Sequence, residues 1–156
     1  MFLYLMRHGD ALPHAPSDDA RPLSLQGQEE TAQMAVWLKK REPHLKAILT
    51  SPLLRALQTA EIVSEVFGPE TKVIPTPALT PGNSIHDLLP LLQRVGDIRA
   101  LCIGHMPDVG HLLSALVWGD PDKGILFRTN ATAFIRLPEL RFGRGQLEWF
   151  VEPGLL

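Results

Sequence analysis

The chain has 156 residues, of which 45% are hydrophobic and 21% charged, a composition typical of globular proteins. This length fits one domain, which we expect to span residues 1–156. The formal net charge of −2 argues against a general nucleic-acid or membrane-surface binder, because such proteins usually carry a basic excess. The apolar run at the N-terminus is too short for a signal peptide or a membrane span, so we expect a cytoplasmic protein.

The first predicted element is a strand over residues 2–6, which is followed by Arg7, His8 and Gly9. Five apolar residues without alternation are typical of a parallel strand covered by helices on both faces. Ligands of open α/β sheets bind outside the carboxyl ends of the strands. Arg7 and His8 therefore stand where a reacting group is expected, and Gly9 allows the backbone to turn away.

Residues 10–24 form a predicted loop rich in proline, aspartate and alanine. Loops of about 12 to 15 residues without regular structure are usually functional. Ser24 is the predicted N-cap of a helix that runs to about residue 41.

A strand over residues 46–50 leads into a helix over residues 52–67, with Ser51 as the predicted N-cap and Pro52 at the first helical position. Arg55 lies in the first turn of this helix, where a cation opposes the helix dipole. An anion shared between Arg55 and the free N–H groups would remove the conflict. The pattern therefore indicates an anion site at this helix start.

Next come a predicted strand over residues 72–75, an extended proline-rich connection and a helix over residues 85–95. A strand over residues 98–103 then leads to a helix opened by Pro107, which is followed by an irregular segment over residues 118–130. The chain ends with a predicted antiparallel pair of strands over residues 131–137 and 146–151. His105 follows the strand of residues 98–103, as His8 follows the first strand. Alternating strands and helices predict a three-layer α/β/α sandwich, with a mostly parallel central sheet and an antiparallel edge.

Four segments of the chain resemble the histidine phosphatase superfamily, and the similarity is greatest to its small phosphohistidine phosphatases of the SixA type. The matching segments are residues 6–11 (Met-Arg-His-Gly-Asp-Ala), 21–24 (Arg-Pro-Leu-Ser), 51–59 (Ser-Pro-Leu-Leu-Arg-Ala-Leu-Gln-Thr) and 104–107 (Gly-His-Met-Pro). They occur in the order found in the family and extend over nearly the whole chain. The resemblance implies that the predicted sandwich has the phosphoglycerate mutase-like fold.

The resemblance also implies catalytic and substrate-binding roles for Arg7, His8, Arg55 and His105. His8 would be the nucleophile, and this role requires a neutral imidazole. The neighbouring arginines favour the neutral ring, because their positive charges oppose formation of the imidazolium. Arg7 and Arg55 carry forked donors suited to phosphate oxygens. His105 would donate a hydrogen bond to the phosphoryl group.

Two further residues, Arg21 and Asp10, enter through the same resemblance. Arg21 matches a phosphate-contacting position of the subfamily, and its alternative is a solvated loop arginine. Asp10 stands where family members usually carry an acidic or amide side chain, which suggests that it orients an arginine beside Gly9. Asp18 and Asp19 could reach the site from the loop, but we expect solvated carboxylates.

The chain departs from the wider superfamily where many members carry a glutamate that protonates an alkoxide leaving group. Residues 79–83 contain no carboxylate, and the next one, Asp87, fits a capping box with Ser84 better than a catalytic acid. Alkoxide leaving groups need a general acid, typically worth a factor of about 10² to 10⁴. An imidazole leaving group needs far less help, so the departure favours phosphohistidine over sugar phosphates.

We therefore predict a phosphohistidine phosphatase that acts on a protein, such as a phosphorelay phosphotransfer domain, through a covalent intermediate on His8 and with inorganic phosphate as product. One alternative is a broad-specificity small-molecule phosphomonoesterase of the same superfamily. Another is a noncatalytic phosphate-binding module. No cofactor and no metal are expected, because the histidines show neither HxH nor HExxH spacing.

Overall fold

A computed structural model describes residues 1–83, 85–96 and 99–156. The strands are β1 (Phe2–Arg7), β2 (Ala47–Thr50), β3 (Lys72–Pro75), β4 (Arg99–Gly104), β5 (Thr132–Arg136) and β6 (Gln146–Val151). The helices are α1 (Leu25–Arg41), α2 (Leu54–Phe67), α3 (Ile85–Val95) and α4 (Asp108–Trp118). In this described part of the chain, no helix combines the length and the hydropathy needed to cross a bilayer.

The strands form one mixed sheet in the order β3-β2-β4-β1-β5-β6. Strands β3, β2, β4 and β1 are parallel, whereas β5 is antiparallel to both β1 and β6. The predicted mostly parallel sheet with an antiparallel side is confirmed. The reversed strand is β5, so β6 at the edge runs in the same direction as β1.

The two faces of the sheet are covered by different helix pairs. Along β1, Leu3 and Leu5 pack in a core with α3 and α4, while Tyr4 and Met6 pack in a second core with α1 and α2. These four side chains are at most 3% exposed. The alternation of β1 between two covered faces confirms the predicted three-layer α/β/α sandwich.

The register of the sheet brings three strand ends to one edge. Arg7 at the end of β1 pairs with Gly104 at the end of β4, and Thr50 at the end of β2 pairs with Ile103. The segments that follow these strands therefore begin side by side. They carry the two histidines and the arginine that the sequence singled out.

The start of α2 differs from the prediction. The helix begins at Leu54, and Ser51 is not its N-cap, because its Oγ accepts a hydrogen bond from the Leu53 backbone N–H, at 3.3 Å, outside the helix. The first helical N–H instead donates to the carbonyl of Asp19, at 3.0 Å. A carbonyl of the distant loop replaces a local cap, which sequence spacing alone does not reveal.

Smaller differences affect the connections. The segment predicted as an extended connection contains a 3₁₀ turn at Pro77–Leu79, and the segment predicted as irregular contains another at Pro121–Lys123. Pro107 is the N-cap residue of α4 and precedes its first turn. The capping box proposed for Asp87 involves Ser84, which lies outside the described residues.

Candidate active site

Arg7, His8, Arg55 and His105 lie together at the carboxyl ends of β1 and β4. The ring centroids of His8 and His105 are 4.9 Å apart, and Arg55 Nε donates a hydrogen bond to His8 Nε2 at 3.3 Å. His8, Arg55 and His105 are only 7%, 5% and 3% exposed. The structure thus brings together the residues for which the sequence predicted catalytic roles.

The orientation of the His8 ring follows from its hydrogen bonds. Nδ1 lies 2.7 Å from the carbonyl oxygen of Gly9. A carbonyl can only accept a hydrogen bond, so Nδ1 carries the proton in the neutral ring. Nε2 then holds a lone pair, directed toward the Arg55 Nε–H group, and is the nitrogen available for attack.

The pKa of His8 is lowered to about 4, mainly by burial and also by the positive charges of Arg55, Arg7 and Arg21, against the hydrogen bond to Gly9, which raises it. Arginine neighbours were predicted to keep the ring neutral, and they do contribute, but desolvation is the larger cause. His8 is therefore unprotonated at Nε2 near neutral pH, as a nucleophile must be.

Several polar atoms of the cluster have no partner among the described residues. They are Arg7 Nε and both ring nitrogens of His105, all of which are buried. The pKa of His105 is lowered to about 3, mainly by burial and also by His8 and Arg55, so its ring is neutral and offers one N–H donor. Unsatisfied buried polar groups each cost about 1 to 3 kcal/mol, and an oxyanion bound between these donors would remove that cost.

Asp18 reaches the site, contrary to the predicted solvated position. Its carboxylate contacts Arg55 Nη2 and Arg21 Nη1, each at 3.0 Å, and its carbonyl accepts a hydrogen bond from Arg55 Nη1 at 2.8 Å. Its side chain is still 60% exposed, and the hydrogen bonds from Arg21 and Arg55 lower its pKa. The anion that the sequence indicated beside Arg55 at the start of α2 is, in this structure, a carboxylate of the protein.

Comparison with known proteins agrees with this geometry. Residues 3–80, half of the chain, match the family model of the histidine phosphatase superfamily, branch 1. The phosphohistidine phosphatase SixA of Escherichia coli K12 is 36% identical over 156 residues, covering 98% of this chain and 94% of the relative. The chain belongs to the histidine phosphatase superfamily. A SixA homolog of Haemophilus influenzae is 32% identical over 126 residues, which cover 74% of this chain and 77% of the homolog.

Solved structures of this superfamily share the fold. A structure of the protein histidine phosphatase SixA complexed with tungstate superposes with a TM-score of 0.89 at 36% identity, and the match covers 99% of each chain. An α-ribazole phosphatase from Shigella flexneri matches with a TM-score of 0.69 at 17% identity, over 98% of this chain and 97% of that chain. The second match shows the common fold alone.

In the phosphatase, Asp10 contacts the start of α1. Asp10 Oδ2 accepts a hydrogen bond of 2.6 Å from Ser24 Oγ, and its carbonyl accepts one of 2.9 Å from the Ser24 N–H. It therefore ties the loop to the start of α1, and within the described part of the chain it makes no hydrogen bond to an arginine. Burial lowers the pKa of Arg7, and the negative charge of Asp10 partly offsets that lowering. Arg21 also donates to the Leu12 carbonyl at 2.8 Å, so it is held within this loop.

Gly9 is required for space and not for an unusual backbone conformation. Its φ is not positive, but an added Cβ would lie 2.7 Å from Thr31 Oγ1 and 3.0 Å from the Gly27 carbonyl. Its N–H donates to Thr59 Oγ1 at 3.0 Å, and Thr59 Oγ1 donates to the Arg55 carbonyl at 2.7 Å. Thr59 thus links α2 to the segment that carries His8.

Sequence reasoning missed Asn130, which holds the backbone of the predicted nucleophile. Its N–H lies 3.1 Å from the Arg7 carbonyl and 3.3 Å from the His8 carbonyl, and its φ is 60°. The side-chain Oδ1 accepts a hydrogen bond from Thr31 Oγ1 at 2.8 Å. Asparagine tolerates this left-handed conformation better than most residues, but a single asparagine in a predicted irregular segment gives no signal.

Proposed function

We propose that this phosphatase removes phosphate from phosphohistidine on a protein, through a covalent intermediate on His8. The observation that carries the proposal is the state of His8: a buried, neutral ring with Nδ1 held by a carbonyl and Nε2 free of a proton. Around it lie Arg7, Arg55 and His105, which supply donors where a phosphoryl group would sit. We therefore assign Arg7, His8, Arg55 and His105 as catalytic residues. Arg21 is a further substrate-binding residue.

In the first step, His8 Nε2 attacks phosphorus, the bond between phosphorus and the substrate nitrogen breaks, and that nitrogen takes up a proton. In the second step, water attacks phosphorus, the bond to His8 breaks, and inorganic phosphate leaves. The guanidinium groups of Arg7 and Arg55 face the charge on the equatorial oxygens in both steps. His105 donates one hydrogen bond to the same group.

The choice of phosphohistidine over phosphate esters depends on the leaving group. The Escherichia coli relative is named a phosphohistidine phosphatase, and the SixA structure that matches this chain is complexed with tungstate, a tetrahedral oxyanion like phosphate. Residues 79–83 carry no carboxylate. Asp108, which approaches this loop, accepts a hydrogen bond of 2.9 Å from the Gly82 N–H at Oδ2 and so holds the loop in place.

The alternative is a broad-specificity phosphomonoesterase, and the lack of a carboxylate at residues 79–83 opposes it. A phosphotransfer domain of a signalling relay is the partner that we propose, and a cytoplasmic location remains a prediction. A substrate panel separates the two functions. Rapid turnover of sugar phosphates, with none of phosphohistidine, would favour the esterase.

The covalent step is tested by incubation with a labelled phosphodonor, acid-free quenching and peptide mapping. We expect an acid-labile phosphoryl adduct on His8 that is absent from His8→Ala and retained in His44→Ala, a variant of an exposed histidine. An adduct on another residue, or turnover by His8→Ala at the rate of the unmodified protein, would overturn the assignment.

A further inference from the structure

A cavity of about 300 Å³ lies beside His105. Its wall comes from the segment of residues 78–83, from α3 and from the start of α4, and it includes Leu79, Leu88, Val109 and Leu112. These four side chains are at most 8% exposed. The buried part of the wall is therefore apolar, whereas Thr80, Asn83, Asp108 and His111 line its more exposed part.

The cavity meets the catalytic cluster at His105, whereas Arg7, His8 and Arg55 do not line it. In phosphoryl transfer the nucleophile and the leaving group lie roughly in line on opposite sides of phosphorus. A phosphoryl group on His8 Nε2 would thus present its leaving group away from His8. The cavity is lined by His105 and not by His8, so it offers space for that leaving group beside the cluster.

Two contacts fix the shape of the cavity. The Gly82 N–H donates to Asp108 Oδ2 at 2.9 Å, which holds the loop of residues 80–83 against the start of α4. Gly104 packs so closely on Val109 that an added Cβ would lie 3.0 Å from Val109 Cγ1. The cavity is therefore preformed, as ligand pockets usually are.

The volume exceeds what the leaving imidazole needs. Its value of about 300 Å³ lies within the range of about 300 to 1,000 Å³ that is typical of ligand pockets, whereas an imidazole has only five ring atoms. Resting on the proposed function, we propose that the cavity is a specificity subsite that takes an apolar side chain adjacent to the phosphohistidine of the partner protein. The partner protein would thus be recognised by an apolar residue next to its phosphorylated histidine.

The wall also opposes small hydroxylated substrates. Hydroxyl groups of a sugar phosphate would lose their hydrogen bonds to water against the buried side chains of Leu79, Leu88 and Leu112, which is unfavourable. An apolar side chain gains free energy in the same place. The subsite therefore selects an apolar flank on a protein over a polyol.

The test fills the cavity with Ala78→Phe, at a half-buried wall position, and uses Val36→Phe on the exposed side of α1 as the matched control. Two phosphohistidine peptides differ only in leucine or serine next to the phosphohistidine, and phosphoramidate serves as a substrate without a flank. For the unmodified protein and Val36→Phe we expect kcat/KM about tenfold higher for the leucine peptide. For Ala78→Phe we expect equal values for both peptides and phosphoramidate turnover within twofold of the unmodified protein.

A second measurement is independent of phosphohistidine turnover. Benzylphosphonate should bind about tenfold more tightly than methylphosphonate to the unmodified protein, and Ala78→Phe should abolish this ratio while inorganic phosphate still binds. Equal affinity for the two phosphonates, equal turnover of the two peptides, or tight benzylphosphonate binding to Ala78→Phe would overturn the subsite. If phosphohistidine is not hydrolysed but the phosphonate ratio holds, the proposed function fails and the apolar subsite stands with small apolar phosphate esters as its ligands.

Discussion

Asp18 binds the same Arg55 donors that a phosphoryl group needs. Arg55 Nη1 and Nη2 both contact Asp18, and Nε contacts His8, so all three nitrogens of this guanidinium have partners. Arg21 shares the carboxylate. Substrate binding at Arg55 therefore requires the carboxylate to move away or to tolerate a second anion nearby, which is unfavourable at such distances.

We expect Asp18→Asn to bind inorganic phosphate several-fold to about tenfold more tightly, because the variant removes a competing negative charge. Calorimetric titration with phosphate measures the affinity. Asp19→Asn, at the exposed neighbouring position, is the control and should leave the affinity unchanged. Weaker phosphate binding by Asp18→Asn would show instead that Asp18 positions Arg55.

The lowered pKa of His8 makes stability depend on pH. Its folded pKa of about 4 lies below the usual value of 6.5, so the unfolded chain binds the proton more readily between these values. The stabilisation is present above pH 6.5 and is lost as the pH falls toward 4, roughly 2 to 3 kcal/mol by pH 4.5. Urea unfolding at pH 7 and pH 4.5 measures the free energy of unfolding at each pH. For His8→Asn the difference between the two free energies should be smaller than for the unmodified protein, whereas for His44→Asn it should be unchanged.

For single residues, the sequence predicts the position of those that directly follow strands. It does not predict the position of those that depend on how a loop folds. His8 and His105 come directly after apolar strands, and parallel strands end at one edge of a sheet. Asp18 lies eight residues beyond Asp10 in a loop without periodicity, so its contact with Arg55 depends on how the loop folds back. Asn130 acts through its backbone, which carries no sequence pattern.

At the scale of elements, the start of α1 holds the loop of residues 10–24. Gly27 in the first turn packs against the backbone of Asp10, where an added Cβ would lie 2.1 Å from the Asp10 carbonyl oxygen. Ala11 and Leu23 form an isolated antiparallel bridge at the base of the same loop. The loop that carries Asp18 and Arg21 is therefore anchored at both ends.

Gly27→Ala should displace this anchor. We expect a loss of about 1 to 3 kcal/mol in the free energy of unfolding, typical of an inserted methyl group in a packed site, together with weaker phosphate binding. Chemical denaturation and phosphate titration measure the two effects. Gly154→Ala is the matched control, because no atom lies within 4 Å of its added Cβ, and an equal loss there would contradict the packing argument.

Element boundaries were less predictable than element types. The strand and helix order follows from apolar runs and caps, and α1 begins after Ser24, whose side chain accepts a hydrogen bond from the Gly27 N–H, as predicted. The predicted start of α2 was wrong, because the hydrogen-bond acceptor for its first N–H is the Asp19 carbonyl in another part of the chain. Local rules locate helix ends only when the partner of the first N–H groups is local.

At the scale of the whole molecule, the site should couple to global stability. A ligand that binds only the folded protein raises the free energy of unfolding by about 2.7 kcal/mol at 100 times its dissociation constant. We expect phosphate to raise the melting temperature of the unmodified protein. Arg55→Ala should lose this shift and most turnover while keeping a cooperative melting transition.

Arg128→Ala is the control for that experiment, since the Arg128 side chain is 76% exposed and outside the cluster. It should keep the full phosphate-induced shift. A melting temperature of Arg55→Ala that collapses together with activity would mark Arg55 as a structural residue.

The position of β4 has a consequence for synthesis on the ribosome. In the sheet, β4 lies between β1 and β2, although it follows both in the chain by some fifty residues or more. The nascent N-terminal half, with His8 and Arg55 already made, lacks the strand that joins their two strands into one sheet. Phosphoryl-transfer capacity therefore arises late in translation, after β4 has left the exit tunnel and taken its place between them.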